Sequence, residues 1–69
     1  MPFNWAQTRW NQADLALARH ALTPGTALLD AAQAHLDAAR EVFSEGPSEH
    51  QLERCDELQD RIDALRGAP

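Results

Sequence analysis

The residues best suited to metal binding or nucleophilic chemistry are three histidines and a single cysteine. His20, His35 and His50 lie 15 residues apart, and Cys55 follows the last of them. A zinc site needs several such ligands to converge with tetrahedral geometry, and no Cys/His pair here has the spacing of a zinc finger. Nucleophilic use of Cys55 would need a neighbouring base or a positively charged setting, which the sequence around it does not indicate. We therefore expect no metal site, no cofactor and no catalytic residue.

The composition excludes several classes of protein. Val, Ile and Thr together total five residues and Tyr is absent, so the residues that fit a pleated sheet are too few. The chain has no Lys, its six Arg are scattered and its net charge is −5, whereas nucleic acids and anionic membranes bind a concentrated basic face. The first residues lack the basic and apolar regions of a signal peptide, and no apolar run approaches the ~20 residues of a membrane span. These features predict an all-α cytoplasmic protein that binds neither nucleic acid nor membrane.

Large apolar side chains are few for the length. Of 69 residues 43 % are hydrophobic, but 13 of those 30 are Ala, which leaves 17 larger side chains. A chain of this size forms one small core that rarely contributes more than ~3–5 kcal/mol, and a single Cys cannot form an internal disulfide. We expect one small domain over residues 1–69 that is completed by another protein chain.

Capping and turn residues divide the chain into three helices. Asn4 and Ser48 are each followed three residues later by Gln, which is the capping-box arrangement, and Thr26 is a candidate cap between them. Proline and glycine at 24–25 and 46–47 interrupt the helical pattern. Connections this short force neighbouring helices to be antiparallel. The prediction is three antiparallel helices over about residues 5–22, 27–44 and 49–66.

The first predicted helix is apolar on two sides. One stripe consists of Ala6, Trp10, Ala13, Leu17 and Ala21, and a second consists of Leu15, Ala18 and Leu22. A helix of this kind is either covered on both sides or exposes an apolar patch. Trp5 points away from Trp10 and is the better interface candidate, since Trp is enriched at interface hot spots. This helix therefore predicts self-association.

The other two helices leave two readings open. The second helix has a broad apolar arc and, nearly opposite, a stripe of Ala27, Ala31, Ala34 and Ala38. That stripe reflects either helix propensity alone or close approach of a neighbouring helix. The third helix is apolar on one side, where Cys55 is expected to be a core residue, and acidic on the other. The acidic side is either ordinary solvated surface or a recognition surface for a basic partner. His20 and His35 should be partly buried and His50 exposed.

The start of the first helix resembles a tetratricopeptide repeat (TPR). Residues 5–11 read Trp-Ala-Gln-Thr-Arg-Trp-Asn, similar to the Trp-Ala-x-Thr-x-x-Asn opening of the longer bacterial variants. Ala13 is the small residue that the family has at its closest helix contact, although Gln12 replaces the Leu before it. In the second helix Ala32, Leu36 and Ala39 match the family's spacing, and Pro47 stands near the repeat-ending proline. The resemblance implies a helical hairpin of one repeat followed by a capping helix.

The resemblance also implies that the first helix lines a groove for a partner protein. Together with the apolar stripes, it gives seven candidate partner-binding residues: Trp5, Gln7, Trp10, Asn11, Asp14, Leu15 and Leu22. Trp10 is either a core or a groove residue. Trp10 and Asp14 occupy positions where the family often has Asn, which argues against binding of an acidic peptide tail.

The expected function is that of a non-enzymatic protein–protein interaction module. It is expected to work as a homodimer or as a subunit of a larger assembly, because one repeat cannot bury its own stacking faces. The alternative is a simple three-helix bundle that serves as a structural or regulatory subunit without a peptide-binding groove. A small helical enzyme or cofactor binder is a third reading, for which the chain offers few ionisable groups that could converge.

Overall fold

The computed structural model describes residues 2–46 and 49–67, except for the side chains of Pro2 and Phe3. These residues form three α-helices: α1 spans Pro2–Leu22, α2 spans Thr26–Phe43 and α3 spans Glu49–Gly67. No strand lies in these two ranges. The prediction of an all-α protein with three helices is confirmed.

Helix α1 begins at Pro2, three residues earlier than predicted. Proline suits the first turn because the N–H that it lacks would have no partner inside the helix. Asn4 therefore lies within α1, where its carbonyl oxygen accepts a hydrogen bond from Oγ1 of Thr8 at 3.0 Å. Gln7 donates to Oδ1 of Asn11 at 3.4 Å. The capping box predicted from Asn4 and Gln7 is not formed.

Helix α2 begins without a side-chain cap. Gly25 precedes its first turn with an extended backbone, and no side chain bonds to the N–H groups there. Thr26, predicted as the cap, is the first residue of the helix itself. At the other end the backbone N–H of Ser44 donates to the carbonyl oxygen of Arg40 at 2.9 Å. Ser48, predicted to cap α3, lies outside the described residues.

Helix α3 runs antiparallel to α2. Arg66 near the end of α3 pairs with Asp30 near the start of α2 at 2.7 Å. Asp56 in the first half of α3 pairs with Arg40 near the end of α2, also at 2.7 Å. Since only three residues connect α1 to α2, these two helices form an antiparallel hairpin as well.

Helix α3 runs parallel to α1 and reaches it through long side chains. Nε1 of Trp10 donates to the carbonyl oxygen of Arg54 at 3.4 Å, and Arg61 pairs with Asp14 at 3.0 Å. The backbone of α3 lies mostly against α2 and meets α1 at few points, whereas α1 and α2 are closely packed along their lengths. Helix α3 therefore lies towards α2 rather than centred over the hairpin. The Cα atoms span 37 × 19 × 13 Å.

The core is small and rich in alanine. The buried residues are Ala6, Ala13, Ala16, Leu17, Leu29, Ala32, Leu36, Ala39, Phe43, Cys55, Leu58 and Ile62. Helix α1 contributes three alanines and a single leucine to this set, so its backbone can approach α2 closely. The second alanine stripe is different: Ala27 and Ala34 are exposed, and Ala31 and Ala38 are half-buried. No helix of the described chain covers that stripe.

Candidate interaction surface

A groove between α1 and α2 runs along the side of the hairpin that α3 leaves uncovered. It has a volume of about 240 Å³ and is lined by Gln12, Leu15, Ala16 and Arg19 of α1 and by Leu28, Ala31 and His35 of α2. Gln12 lies about 160° around α1 from Trp10, which contacts α3, because each helical residue advances by about 100°. We call these seven residues, with Trp5 and Arg9 at one end, the open face.

The floor of the open face is apolar. Ala16 is buried, Ala31 and Leu28 are half-buried, and Leu15 is 52 % exposed at the rim. The alanines keep the floor shallow, so that a helix laid along it would contact both α1 and α2. None of the residues that line this groove belongs to α3. The open face is therefore an apolar surface that the described part of the chain does not bury.

Three side chains at one end of the open face hold one another in place. The guanidinium of Arg9 lies over the ring of Trp5, 5.0 Å from its centroid. Nη1 of Arg9 also lies 2.9 Å from Nδ1 of His35 on α2. Because an arginine can only donate, Nδ1 accepts in this bond, as it does in the tautomer that carries its proton on Nε2. Arg9 is thus fixed at the edge of the groove while Trp5 stays 44 % exposed.

The six arginines fall into three groups according to their partners. Three form ion pairs at the α3 side of the molecule, namely Arg40 with Asp56, Arg61 with Asp14 and Arg66 with Asp30. Arg54 lies over the ring of Trp10, 4.2 Å from its centroid. Arg9 and Arg19, which border the open face, form no ion pair with any described residue. In a chain of net charge −5, the open face thus carries two arginines that form no ion pair with a described carboxylate.

The candidate residues Trp10 and Asp14 lie between α1 and α3. Trp10 is partly buried against the core and is covered by Arg54. Asp14 accepts from Arg61 at 3.0 Å. Trp10 is therefore neither fully enclosed nor part of the open face, since α3 packs on it.

The other candidate residues are spread around α1. Gln7 and Asn11 bond to each other one turn apart. Leu15 lies at the rim of the groove, whereas Leu22 is 87 % exposed at the end of the helix. Of the seven candidate residues the structure places only Trp5 and Leu15 on the open face.

Sequence reasoning missed Arg9, Arg19, Leu28 and His35 as surface-forming residues. Two signals could have pointed to them. The uncovered alanine stripe marks the side of α2 that faces the groove, and both arginines of residues 1–34 lie on α1. Neither signal predicts that the alanine stripe of α2 and the arginines of α1 lie beside the same groove.

Cys55 is enclosed in the core and unsuited to nucleophilic chemistry. The residue is 0 % exposed. Burial raises the pKa of its thiol, an effect that the positive charge of Arg40 opposes only in part. The prediction of a core cysteine is confirmed, as are the half-buried His20 and His35 and the exposed His50.

Small-molecule and metal sites find little support in the geometry. A second depression of about 320 Å³ lies at the hairpin end and is lined by His20, Gly25, Thr26, Leu29, Leu65 and Arg66. Both depressions are open and lie at or below the lower end of the ~300–1,000 Å³ typical of small-molecule pockets. Across residues 2–46 and 49–67, no three His, Cys, Asp or Glu side chains form a group that could hold a metal ion.

Comparison with known proteins gives no family assignment. No protein-family model, no curated protein and no solved structure matches this chain. Among the described residues, no helix has the length and apolar character needed to cross a membrane. The tetratricopeptide resemblance stays a prediction from the sequence.

Proposed function

We propose that the chain is a non-enzymatic protein–protein interaction module, built like one tetratricopeptide repeat with a capping helix. It self-associates or docks onto a partner protein through the open face. The observation that carries this proposal is the apolar groove of Leu15, Ala16, Leu28 and Ala31, which no described residue of α3 covers.

The placement of α3 supports a repeat-like arrangement. Helices in a stacked array contact neighbours on both sides of each hairpin. Here α3 covers one side, running antiparallel to α2 and parallel to α1, and the other side of the hairpin stays open. The outer surface of α3 carries Glu49, Glu53, Glu57 and Asp60, all exposed, which suits a helix that ends an array.

The second candidate is a three-helix bundle that acts as a structural or regulatory subunit without a groove. It is favoured by the contacts between α3 and α1, namely the stacking of Arg54 on Trp10, the hydrogen bond from Trp10 to the Arg54 carbonyl oxygen and the ion pair of Arg61 with Asp14. In that case the exposed apolar residues of the open face would have no partner.

Site-specific photo-crosslinking in the cells that produce the protein tests the proposal. A photoreactive residue at Gln12, on the open face, is expected to capture a protein, either a second copy or another chain. The matched control places the same residue at Glu53, which is exposed on α3, and should capture none. Sedimentation equilibrium at micromolar concentration reports self-association independently. A chain that stays monomeric and gives no product from Gln12 would contradict the proposed function.

A further inference from the structure

We propose that the occupant of the open face is an acidic amphipathic helix of a partner protein. Its apolar stripe lies in the groove between α1 and α2, and its carboxylates pair with Arg9 and Arg19. This inference rests on the proposed function, because it names the chemistry of the partner for the same surface.

The shape of the groove fits a helix. Two antiparallel helices border it, and small side chains, Ala16 and Ala31, form its floor, with Leu15 and Leu28 on either side. An amphipathic helix laid in an apolar groove is a common mode of recognition, in which residues one turn apart act as anchors. The low floor admits a helix bearing Leu or Met on the contacting side.

The same hairpin already holds an acidic amphipathic helix on its other side. Helix α3 presents Cys55, Leu58 and Ile62 to the core, and Asp56 of α3 pairs with Arg40 of α2. The charges at that interface are matched between the helices. In the other two ion pairs α3 supplies the arginine and the hairpin the carboxylate, namely Arg61 with Asp14 and Arg66 with Asp30. The open face also has an apolar strip beside charged side chains, but its two arginines have no ion-pair partner among the described residues.

The positions of the two arginines set the spacing expected between the carboxylates of the partner helix. Arg9 and Arg19 are ten residues apart on α1, which corresponds to about 15 Å along the helix. A partner helix lying along the groove would meet them with acidic residues about ten or eleven positions apart on one flank. Because Arg9 is held by His35 at 2.9 Å, one of these two charges is already in place.

A second copy of this chain fits the open face less well. Pairing two open faces would bring Arg9 and Arg19 of both copies together with no described carboxylate among them, and like charges at an interface oppose association. Docking of α3 from another copy would supply acids, but its exposed outer side has no large apolar anchor between Glu49, Glu53 and Asp60. The charge pattern therefore favours a different protein.

Binding of three synthetic peptides to the full chain tests the inference. Each is a helix of about 18 residues, or five turns, with the same leucine and alanine stripe and with Glu, Gln or Lys on the flanks. By fluorescence anisotropy we expect the Glu peptide to bind, the Gln peptide to bind more weakly and the Lys peptide not to bind. Added salt should weaken the binding of the Glu peptide more than the binding of the Gln peptide.

Variants of the arginines link this binding to the open face. Arg9→Gln and Arg19→Gln should each raise the dissociation constant of the Glu peptide about threefold to tenfold. Arg61→Gln is the matched control, because it removes the same charge from α3, and it should leave binding unchanged. The Arg19→Glu variant, which changes an exposed position, should no longer bind the Glu peptide and should bind the Lys peptide.

Several results would overturn the inference. These are failure of the Glu peptide to bind, equal binding of all three peptides, and equal effects of Arg61→Gln and Arg19→Gln. A crosslink from Gln12 to a second copy of the chain would show that the open face is a self-association interface instead. If Gln12 captures a protein but the Glu peptide does not bind, only this inference fails. If Gln12 captures nothing and the chain is monomeric, the proposed function itself fails.

Discussion

The guanidinium of Arg9 on α1 donates a hydrogen bond to Nδ1 of His35 on α2, with 2.9 Å between the two nitrogens. The two residues are 26 positions apart in the chain, so the bond ties the hairpin together beside the groove. It also holds a positive charge at the edge of an apolar strip, next to the exposed ring of Trp5. Under the proposed function, substitution of either side chain should affect both the stability of the hairpin and binding at the open face.

Replacement of His35 by alanine should destabilise the hairpin modestly. The substitution removes the acceptor of Arg9 and part of the groove wall, and a hydrogen bond of this type contributes about 0.5–1.5 kcal/mol. Urea denaturation followed by circular dichroism measures the loss. His50→Ala, at an exposed position, is the control and should change the free energy of unfolding by less than about 0.5 kcal/mol. Equal losses for the two variants would show that the Arg9 bond contributes nothing.

The two tryptophans should differ in their contribution to stability. Trp10 is packed against the core, the guanidinium of Arg54 on α3 covers its ring, and the backbone carbonyl oxygen of Arg54 accepts its Nε1–H. Trp10→Ala should therefore cost about 3 kcal/mol through lost packing. Trp5→Ala should cost less than about 1 kcal/mol, because Trp5 is 44 % exposed and its ring contacts the exposed side of α1 through the Arg9 guanidinium. Chemical denaturation of both variants checks the difference, and similar losses would contradict this placement of Trp10.

The pairing of Gln33 with Gln59 should couple α2 to α3. Each amide donates to the carbonyl oxygen of the other at 2.7 Å, and both side chains are half-buried. A double-mutant cycle with Gln33→Ala and Gln59→Ala should give a coupling energy of about 1 kcal/mol. The more exposed ion pair of Asp30 with Arg66 serves as the comparison and should give less than about 0.5 kcal/mol. A coupling near zero for the glutamines would mean that the two amides are equally well satisfied by water.

Alkaline pH should destabilise the protein through Cys55. The folded thiol has a pKa raised above its ordinary value of 9.0, chiefly by burial. The unfolded thiol therefore loses its proton first as the pH rises, so that the unfolded chain binds fewer protons and stability falls. This contribution is complete below the unfolded pKa and is lost as the pH rises towards the folded pKa.

Urea midpoints at about pH 7.5 and about pH 10 measure the effect. Cys55→Ala is the control and should show a smaller decrease between the two values. In the folded protein at neutral pH the thiol should also react slowly with a maleimide and become reactive in urea. An equal alkaline decrease in both proteins would assign it to other groups.

Periodicity predicted the helices and most of the buried positions, but not how the helices face one another. Cys55, Leu58 and Ile62 recur on one side of α3 and are buried, as expected from their spacing. Leu65 continues that side yet is 40 % exposed, because it lies beside the open depression near Gly25. A stripe gives the direction of a side chain around its own helix, and burial depends on what lies opposite.

The contacts that define the open face could not be predicted from the sequence for a similar reason. Whether Arg9 meets His35 depends on the register of the hairpin, which the turn at 23–25 and the packing of alanines set together. Trp10 could be assigned to core or groove only once the position of α3 was known, since α3 packs on its ring. Register and the docking of a third helix are properties of pairs of elements, and one-dimensional spacing does not contain them.

Substitution of Leu15 by glutamate should abolish partner capture without unfolding the protein. Leu15 is 52 % exposed at the rim of the groove, so a charged side chain there costs the folded state little. In the complex the same carboxylate would be desolvated beside the partner's apolar stripe, and it would repel the partner's acids. The crosslink from Gln12 should disappear while the circular dichroism spectrum stays helical.

Leu22→Glu separates a specific effect of the groove from a general effect of surface hydrophobicity. Leu22 is a leucine of the same stripe on α1 and is more exposed, at 87 %, but it does not line the groove. If exposed apolar area alone drove association, Leu22→Glu would reduce capture at least as much as Leu15→Glu, because Leu22 exposes more of its apolar side chain that association could bury. If the open face is the binding site, Leu22→Glu should leave the crosslink from Gln12 unchanged. The relative loss of crosslinking in the two variants therefore distinguishes binding in the groove from nonspecific hydrophobic association through the end of α1.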